Sequence, residues 1–545
     1  MKQILYRIKS LFLLVAIAGG ISACADDKGN YNYHDIPEVK IEGIGNSITA
    51  LAYQNLSIPV QLDGLQADEN RYEYEWQAIR QFRAEDENDA ASEVLATTKE
   101  FNDIISLRPG PYKLIYTVKD KQLDVFYQQQ ANLSVVTTTS EGWVLLCSEN
   151  GNVRLDMIST VLGEEVHSKD MLADSDMPFK KGPLAFIALA PGNEESSPQV
   201  DPISPFYLLT EEGTTRLHKD AFEWKEEYLM KYEMGDMSDA KPTHITSAGY
   251  FRMMVTPDGI HSSNFGSGTE ALWESKLNYL RNGDNTKEYI QVAPYVGCNI
   301  TNPAQMAPIF MFYDLDHKRF VYHPGGMYGA LIQDLTVGCV NMSDDEAGID
   351  ASFSFPIGYN YIYMENTGRQ YTEGAMGGFN NITFTILENN GIYHLYGISL
   401  NDYYMFMVGM ATAPYTKTHY ADLSNCTDIT RAKHFAFSPL NNQMFYAVDG
   451  KVYRVNLDTS SPSAEFQFDV PGEITCLKFY LYRNAENARR SYDLIVGSDK
   501  GGTDGGELRV YEAIDNLAQI TDYKEYHSGF GRIVDIIYKE PITQE

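Results

Sequence analysis

Apolar and polar residues alternate in short runs along most of this chain, and Gly, Asn, Asp and Pro break the runs. In "RYEYEWQA" (71–78), Tyr72, Tyr74 and Trp76 fall on one face of an extended strand, with Glu73 and Glu75 on the other. "GPYKLIYTVKD" (110–120) repeats the pattern and groups Tyr112, Leu114, Tyr116 and Val118. Further strands are predicted at 39–44, 56–62 and 125–136. Together these signals predict an immunoglobulin-like β-sandwich over residues 38–137, with Trp76 as its core tryptophan.

From about residue 140 a different unit recurs: an apolar strand, a polar turn with Gly or Asn, and a second strand. "GWVLLCSENGNVRLDMIS" (142–159) begins the series, which continues at 204–219, 249–264, 308–325, 382–400, 443–458 and 492–513. In the last two units an extra strand precedes the hairpin, at "KHFAFSP" and "EITCLKFYLY". Repeated hairpins of this kind predict a β-propeller of about seven blades over 140–545, in an all-β chain. The irregular stretch 326–381 has room for one blade more. The terminal segment "GRIVDIIYKE" (531–540) reads as an inner strand lacking its hairpin, and 142–159 as a hairpin lacking its inner strand. The two are expected to complete one blade, pairing 533–538 with 144–147 and closing the ring. The competing architecture is a second β-sandwich with irregular sheet.

Composition agrees with an all-β chain, since 38 Tyr and 25 Phe accompany frequent Gly. The formal charge of −31 repels phosphate backbones and argues against nucleic acid as a partner. Cysteines lie at 24, 147, 298, 339, 426 and 476, scattered and without a CxxC. That pattern supports neither a disulfide framework nor a zinc site and predicts small core residues.

The first 23 residues read as a signal peptide. Lys2, Arg7 and Lys9 precede the apolar run "LFLLVAIA" (11–18), which is too short to span a bilayer. Ile21-Ser22-Ala23-Cys24 resembles a bacterial lipobox, which implies cleavage before Cys24, lipidation there and anchoring by acyl chains. Asp26 and Asp27 resemble the surface-export signal of Bacteroidetes lipoproteins, which implies the outer face of the outer membrane. Residues 24–37 then form a polar tether.

Four segments carry a wider resemblance: "DDKGNYNYHDIPEVKIEGI", "YEYEWQA", "GPYKLIYTVKD" and "EGWVLLCSENGNVRLDMI". With the lipobox they resemble the PKD-like lipoproteins of Bacteroidetes, named for the polycystic-kidney-disease-type β-sandwich. The resemblance is clearest over about residues 20–160 and transfers no catalytic residue.

The sequence contains no GxSxG, HExxH, P-loop or sialidase-type Asp-box, and no histidine pair at metal-ligand spacing, so no catalytic or metal-binding residue is assigned. Two segments are candidates for ligand binding. In 355–381, Tyr359, Tyr361 and Tyr363 alternate onto one face, and a Gly-rich loop carries Arg369, Tyr371 and Phe379. Rings of this kind stack on sugars or on peptide side chains. In "YHPGGMYGA" (322–330), His323 and Tyr328 are expected at a rim. A structural tyrosine strand and an interblade turn are the alternatives. Asp499, Asp504 and Glu507 in "SDKGGTDGGE" offer a calcium site without EF-hand spacing, against a solvated turn.

These features lead to the expectation of a non-catalytic surface lipoprotein. It would serve as a binding or docking accessory of a TonB-dependent, starch-utilisation-like uptake system for glycan or peptide, beside the transporter and its lid lipoprotein. A propeller-fold polysaccharide hydrolase or lyase and a purely structural envelope subunit are the alternatives.

Overall fold

The computed structural model describes residues 38–540, apart from 82–89, 190–205, 265–271, 301–306, 325–337, 372–379, 403–408, 483–486, 514–517 and a few isolated positions. The chain divides into two compact units near Ser134.

The first unit is a two-layer sandwich. A five-stranded sheet runs in the order Ser47–Leu51, Val125–Val136, Gly110–Asp120, Tyr72–Arg80, Ser92–Ala96. Asn55–Ile58 pairs with Phe101–Ile104 in the opposing layer. Alternation does what it predicts: Tyr72 and Trp76 are buried while Glu73 and Glu75 are exposed. Trp76 is fully buried, 4.3 Å from the Tyr116 ring and 5.5 Å from the Phe101 ring of the other layer. Its indole N–H donates to the Thr98 carbonyl at 2.9 Å, which satisfies the one polar atom of the buried indole. Pro59 cannot donate to a ladder, and the expected strand 56–62 is divided there into Asn55–Ile58 and Gln61–Asp63.

The second unit contains, among the described residues, seven sheets of three to five strands, antiparallel except for the parallel pairing of Ala347–Ile349 with Tyr415–Asp422. Numbered along the chain, sheet one holds Gly142–Glu149, Asn152–Val161, Glu164–Ser168 and the C-terminal strand Arg532–Lys539; sheet two holds Pro183–Ala188, Phe206–Thr210 and Thr214–Leu217. Sheet three is built on His244–Ala248, sheet four on Ile309–Asp314, and sheet five on Asn360–Tyr371. Sheet six starts with His434–Phe437 and sheet seven with Glu473–Phe479. Each of the seven hairpins read from the sequence lies in a different sheet. Among its described residues, the 326–381 stretch supplies Val340–Asn341 to sheet four, and Ala347–Ile349 and Asn360–Tyr371 to sheet five.

The expected terminal pairing is present. Trp143 stands opposite Tyr538, Val144 opposite Ile537, Leu145 opposite Ile536 and Cys147 opposite Ile533. Seven apolar clusters fill the spaces between sheets, and six of them are each shared by two sheets that follow one another along the chain. The remaining one joins sheet seven to sheet one through Ile495, Val510, Trp143 and Ile536. The leading strands also touch in turn: Asn360–Tyr371 meets His434–Phe437, then Glu473–Phe479, then Arg532–Lys539, then Pro183–Ala188. This arrangement is propeller-like. Cys147, Cys298, Cys339, Cys426 and Cys476 are free and buried within it.

Candidate functional site

The tyrosine strand does not form one platform. A bulge at Ile362 sets Tyr361 opposite Leu387 and Tyr363 opposite Ile386, and the extra residue turns Tyr363 to the other face. Tyr359 and Tyr361 pack into the cluster between sheets four and five, where Tyr361 lies 6.1 Å from Tyr313. Tyr363 packs between sheets five and six instead. Arg369 and Tyr371 belong to the end of the same strand. His323, expected at a rim, is buried opposite Phe310. Phe379, Tyr328, Cys24, Asp26 and Asp27 lie outside the described residues.

The three carboxylates considered for calcium answer separate cations. Asp499 accepts from Arg532 at 3.2 Å, and Asp504 from Arg154 at 3.0 Å. Glu507 accepts from Lys500 at 2.6 Å and Arg509 at 2.7 Å. Their charge is neutralised within the protein, which removes the drive to gather around a cation.

The leading strands bring together polar groups that no local motif announces. Lys478 on Glu473–Phe479 donates to Asp535 on Arg532–Lys539 at 2.9 Å. Asp535 in turn accepts the Phe186 N–H of Pro183–Ala188 at 3.0 Å. Burial opposes the Lys478 charge, but Asp535 outweighs it, and the ammonium is held above its usual range. On Asn360–Tyr371, Glu365 Oε2 lies 3.0 Å from the Tyr363 hydroxyl, which also lies 3.1 Å from the Phe435 carbonyl. Burial raises the Glu365 carboxyl to about 8, against the pull of Tyr363 and Lys478, so it is mostly uncharged at neutral pH. His244 on His244–Ala248 stacks on Tyr295, with centroids 4.1 Å apart, and burial lowers it to about 4. Tyr295 accepts the Asn366 N–H at 3.1 Å. These contacts bind leading strands to one another.

Beside them opens a polar cleft of about 520 Å³ between sheets one and two. Ser148, Asn150–Asn152, Lys181–Pro183, Glu211, Arg532 and Val534 line it. Its walls are interlocked turns. Gly182 N–H donates to the Gly151 carbonyl at 2.9 Å, and Glu211 N–H to the Gly182 carbonyl at 2.8 Å. Asn150 and Gly151 both have positive φ, at 53° and 82°, as a two-residue type I′ hairpin turn requires. Arg532 is fixed by Glu473 at 2.9 Å and by Asp499, whereas the side chains of Asn150, Asn152, Lys181 and Glu211 are exposed. The volume suits a small ligand, and the lining offers hydrogen bonds of both polarities.

Residues 24–176 match the PKD-like family, a span that covers the sandwich and continues through Glu164–Ser168 of sheet one. No curated protein matches the chain. Among solved structures, a quinonprotein alcohol dehydrogenase-like protein from Bacteroides thetaiotaomicron is 12% identical, over 93% of this chain and 100% of its own, with a TM-score of 0.39. The WD40 domain of SCAP from fission yeast is 11% identical, over 59% of this chain and 71% of its own, with a TM-score of 0.29. PorZ, a surface component of the type-IX secretion system of Porphyromonas gingivalis, is 8% identical, over 80% of this chain and 56% of its own, with a TM-score of 0.17. Similarity at this level carries nothing about activity.

Proposed function

We propose that this chain is a lipid-anchored outer-membrane surface protein whose PKD-like unit carries a seven-bladed propeller, and that the propeller is a non-catalytic binding or docking module. The seven sheets are its blades, and Arg532–Lys539 closes the ring by completing sheet one. Seven clusters that each join successive sheets, the last returning to the first, support that reading. The PKD-like match begins at residue 24, where the lipobox-like sequence places the lipidated cysteine.

The open cleft between sheets one and two carries the functional part of the proposal. Exposed Asn150, Asn152, Lys181 and Glu211 stand on fixed turns, a preorganised set of donors and acceptors for a glycan or a peptide backbone. The role is accessory to a TonB-dependent, starch-utilisation-like uptake system. The test is mild detergent extraction of the full-length lipoprotein from its native membrane, followed by identification of what stays bound. A transporter barrel with its lid lipoprotein, and cargo lost from a Lys181→Ala/Glu211→Ala variant, is the expected result. Recovery of the lipoprotein alone, or full shielding from protease added to intact cells, overturns the surface docking role.

A further inference from the structure

Away from the cleft, one cluster gathers metal-ligating side chains. Glu165 and His167 are two residues apart on Glu164–Ser168, the outer strand of sheet one, and so share a face. His527 stands on Glu525–Phe530, the outer strand of sheet seven. His167 Nε2 lies 2.6 Å from Glu165 Oε1, and His527 Nδ1 lies 3.4 Å from Glu165 Oε2. One ligand atom from each residue lies within 4.8 Å of the other two. The two imidazole rings are 6.2 Å apart. Lys169, next along the chain, is paired with Asp504 at 3.6 Å.

We propose that Glu165, His167 and His527 form a binding site for a divalent transition metal of the zinc type, joining the outer strands of sheets one and seven. Two imidazoles with one carboxylate suit zinc, nickel or copper rather than calcium or magnesium, which take oxygen ligands. Zinc bonds of about 2.0–2.1 Å in tetrahedral geometry set ligand atoms about 3.3 Å apart. The His527–Glu165 separation already has that value. The shorter His167–Glu165 contact is a hydrogen bond whose proton the metal replaces, and the pair opens by less than about 1 Å to admit it. Three protein ligands leave a fourth position to water or to a partner's side chain. Because the ligands come from opposite ends of the second unit, only the folded chain assembles them, and metal binding stabilises that state. This inference is independent of what the cleft binds.

The test uses the full-length chain in detergent, carrying an affinity tag without histidine and stripped with a chelator. Titration with zinc alone is expected to show one saturable equivalent and a raised melting temperature. Cobalt is expected to give the intense visible absorption of a four-coordinate site. His167→Ala and His527→Ala are each expected to abolish the saturable equivalent and the cobalt band. Glu165→Gln, an isostere on an exposed strand, is expected to weaken both while keeping the fold. Zinc binding unchanged in these variants, or a cobalt spectrum like that of the aqueous ion, overturns the site.

Discussion

Trp143 and Tyr538 face each other across antiparallel strands from the two ends of the second unit, their ring centroids 5.0 Å apart at 82°. The Arg490 guanidinium lies over both, 5.4 Å from the first ring and 4.4 Å from the second. The Trp143 indole donates to Glu525 at 2.9 Å, and Glu525 accepts from Arg490 at 3.2 Å. Beginning and end of the unit are thus joined by an aromatic pair, a cation and a carboxylate.

Trp143→Ala should therefore destabilise the second unit by about 3–5 kcal/mol, the usual cost of removing a buried aromatic. Truncation before Arg532 should do more, because it leaves Gly142–Glu149 as an unpaired edge and opens the cluster between sheets seven and one. Denaturant unfolding followed by tryptophan fluorescence measures both. A truncated chain with the second unit's transition unchanged would show that the terminal pairing contributes little.

The Lys478–Asp535 pair makes a separate prediction. Lys478→Met should cost about 1–3 kcal/mol, because it leaves the half-buried Asp535 carboxylate without its cation. Lys478→Met combined with Asp535→Asn should recover part of that loss. A double-mutant cycle in chemical denaturation separates the pair's coupling from the penalty of the orphaned charge.

What the sequence revealed follows from the range of each interaction. Hairpins are local, so all seven were legible as apolar runs flanking turns, and the unpaired terminal strand followed by elimination. The tyrosine strand misled because period-two alternation holds only without a bulge, and the one at Ile362 has no distinctive residue type. Glu365, Lys478 and Asp535 lie far apart along the chain and look like ordinary surface charges until the leading strands assemble. His167 and His527 escape a spacing search for the same reason, since the strands that carry them meet only in the folded unit.

The sandwich should respond on its own account. Trp76→Ala removes a fully buried indole and should cost the first unit about 3–5 kcal/mol. The second unit's transition should not move, since the compact units hold separate cores. Asp120, gripped by Arg71 at 2.6 and 2.8 Å, has its carboxyl held below the usual range by that contact. A depressed carboxyl stabilises above its unfolded pKa and loses that contribution as pH falls. Asp120→Asn should therefore make the first unit less sensitive to acid below the carboxyl's ordinary value of 3.8, as thermal scans from about pH 5 downward would detect.

Glu365 and His244 oppose each other in the pH dependence of the second unit. Glu365, raised from 4.5 to about 8, holds a proton that the unfolded chain releases, so its contribution is fully present below 4.5 and is lost as pH rises to 8. His244, lowered from 6.5 to about 4, refuses a proton that the unfolded chain accepts, so its contribution is present above 6.5 and is lost as pH falls to 4. Each slope is about 1.4 kcal/mol per pH unit. Between 4.5 and 6.5 the two cancel; above 6.5 only the Glu365 decline remains, and below 4.5 only that of His244. Glu365→Gln should therefore hold stability relative to the parent chain as pH rises from 6.5 to 8. His244→Gln should do the same as pH falls from 4.5 to 4. Denaturation midpoints across pH 4–9 measure both arms. Parallel curves for Glu365→Gln and the parent above 6.5 would mean that the carboxyl is already ionised among the leading strands.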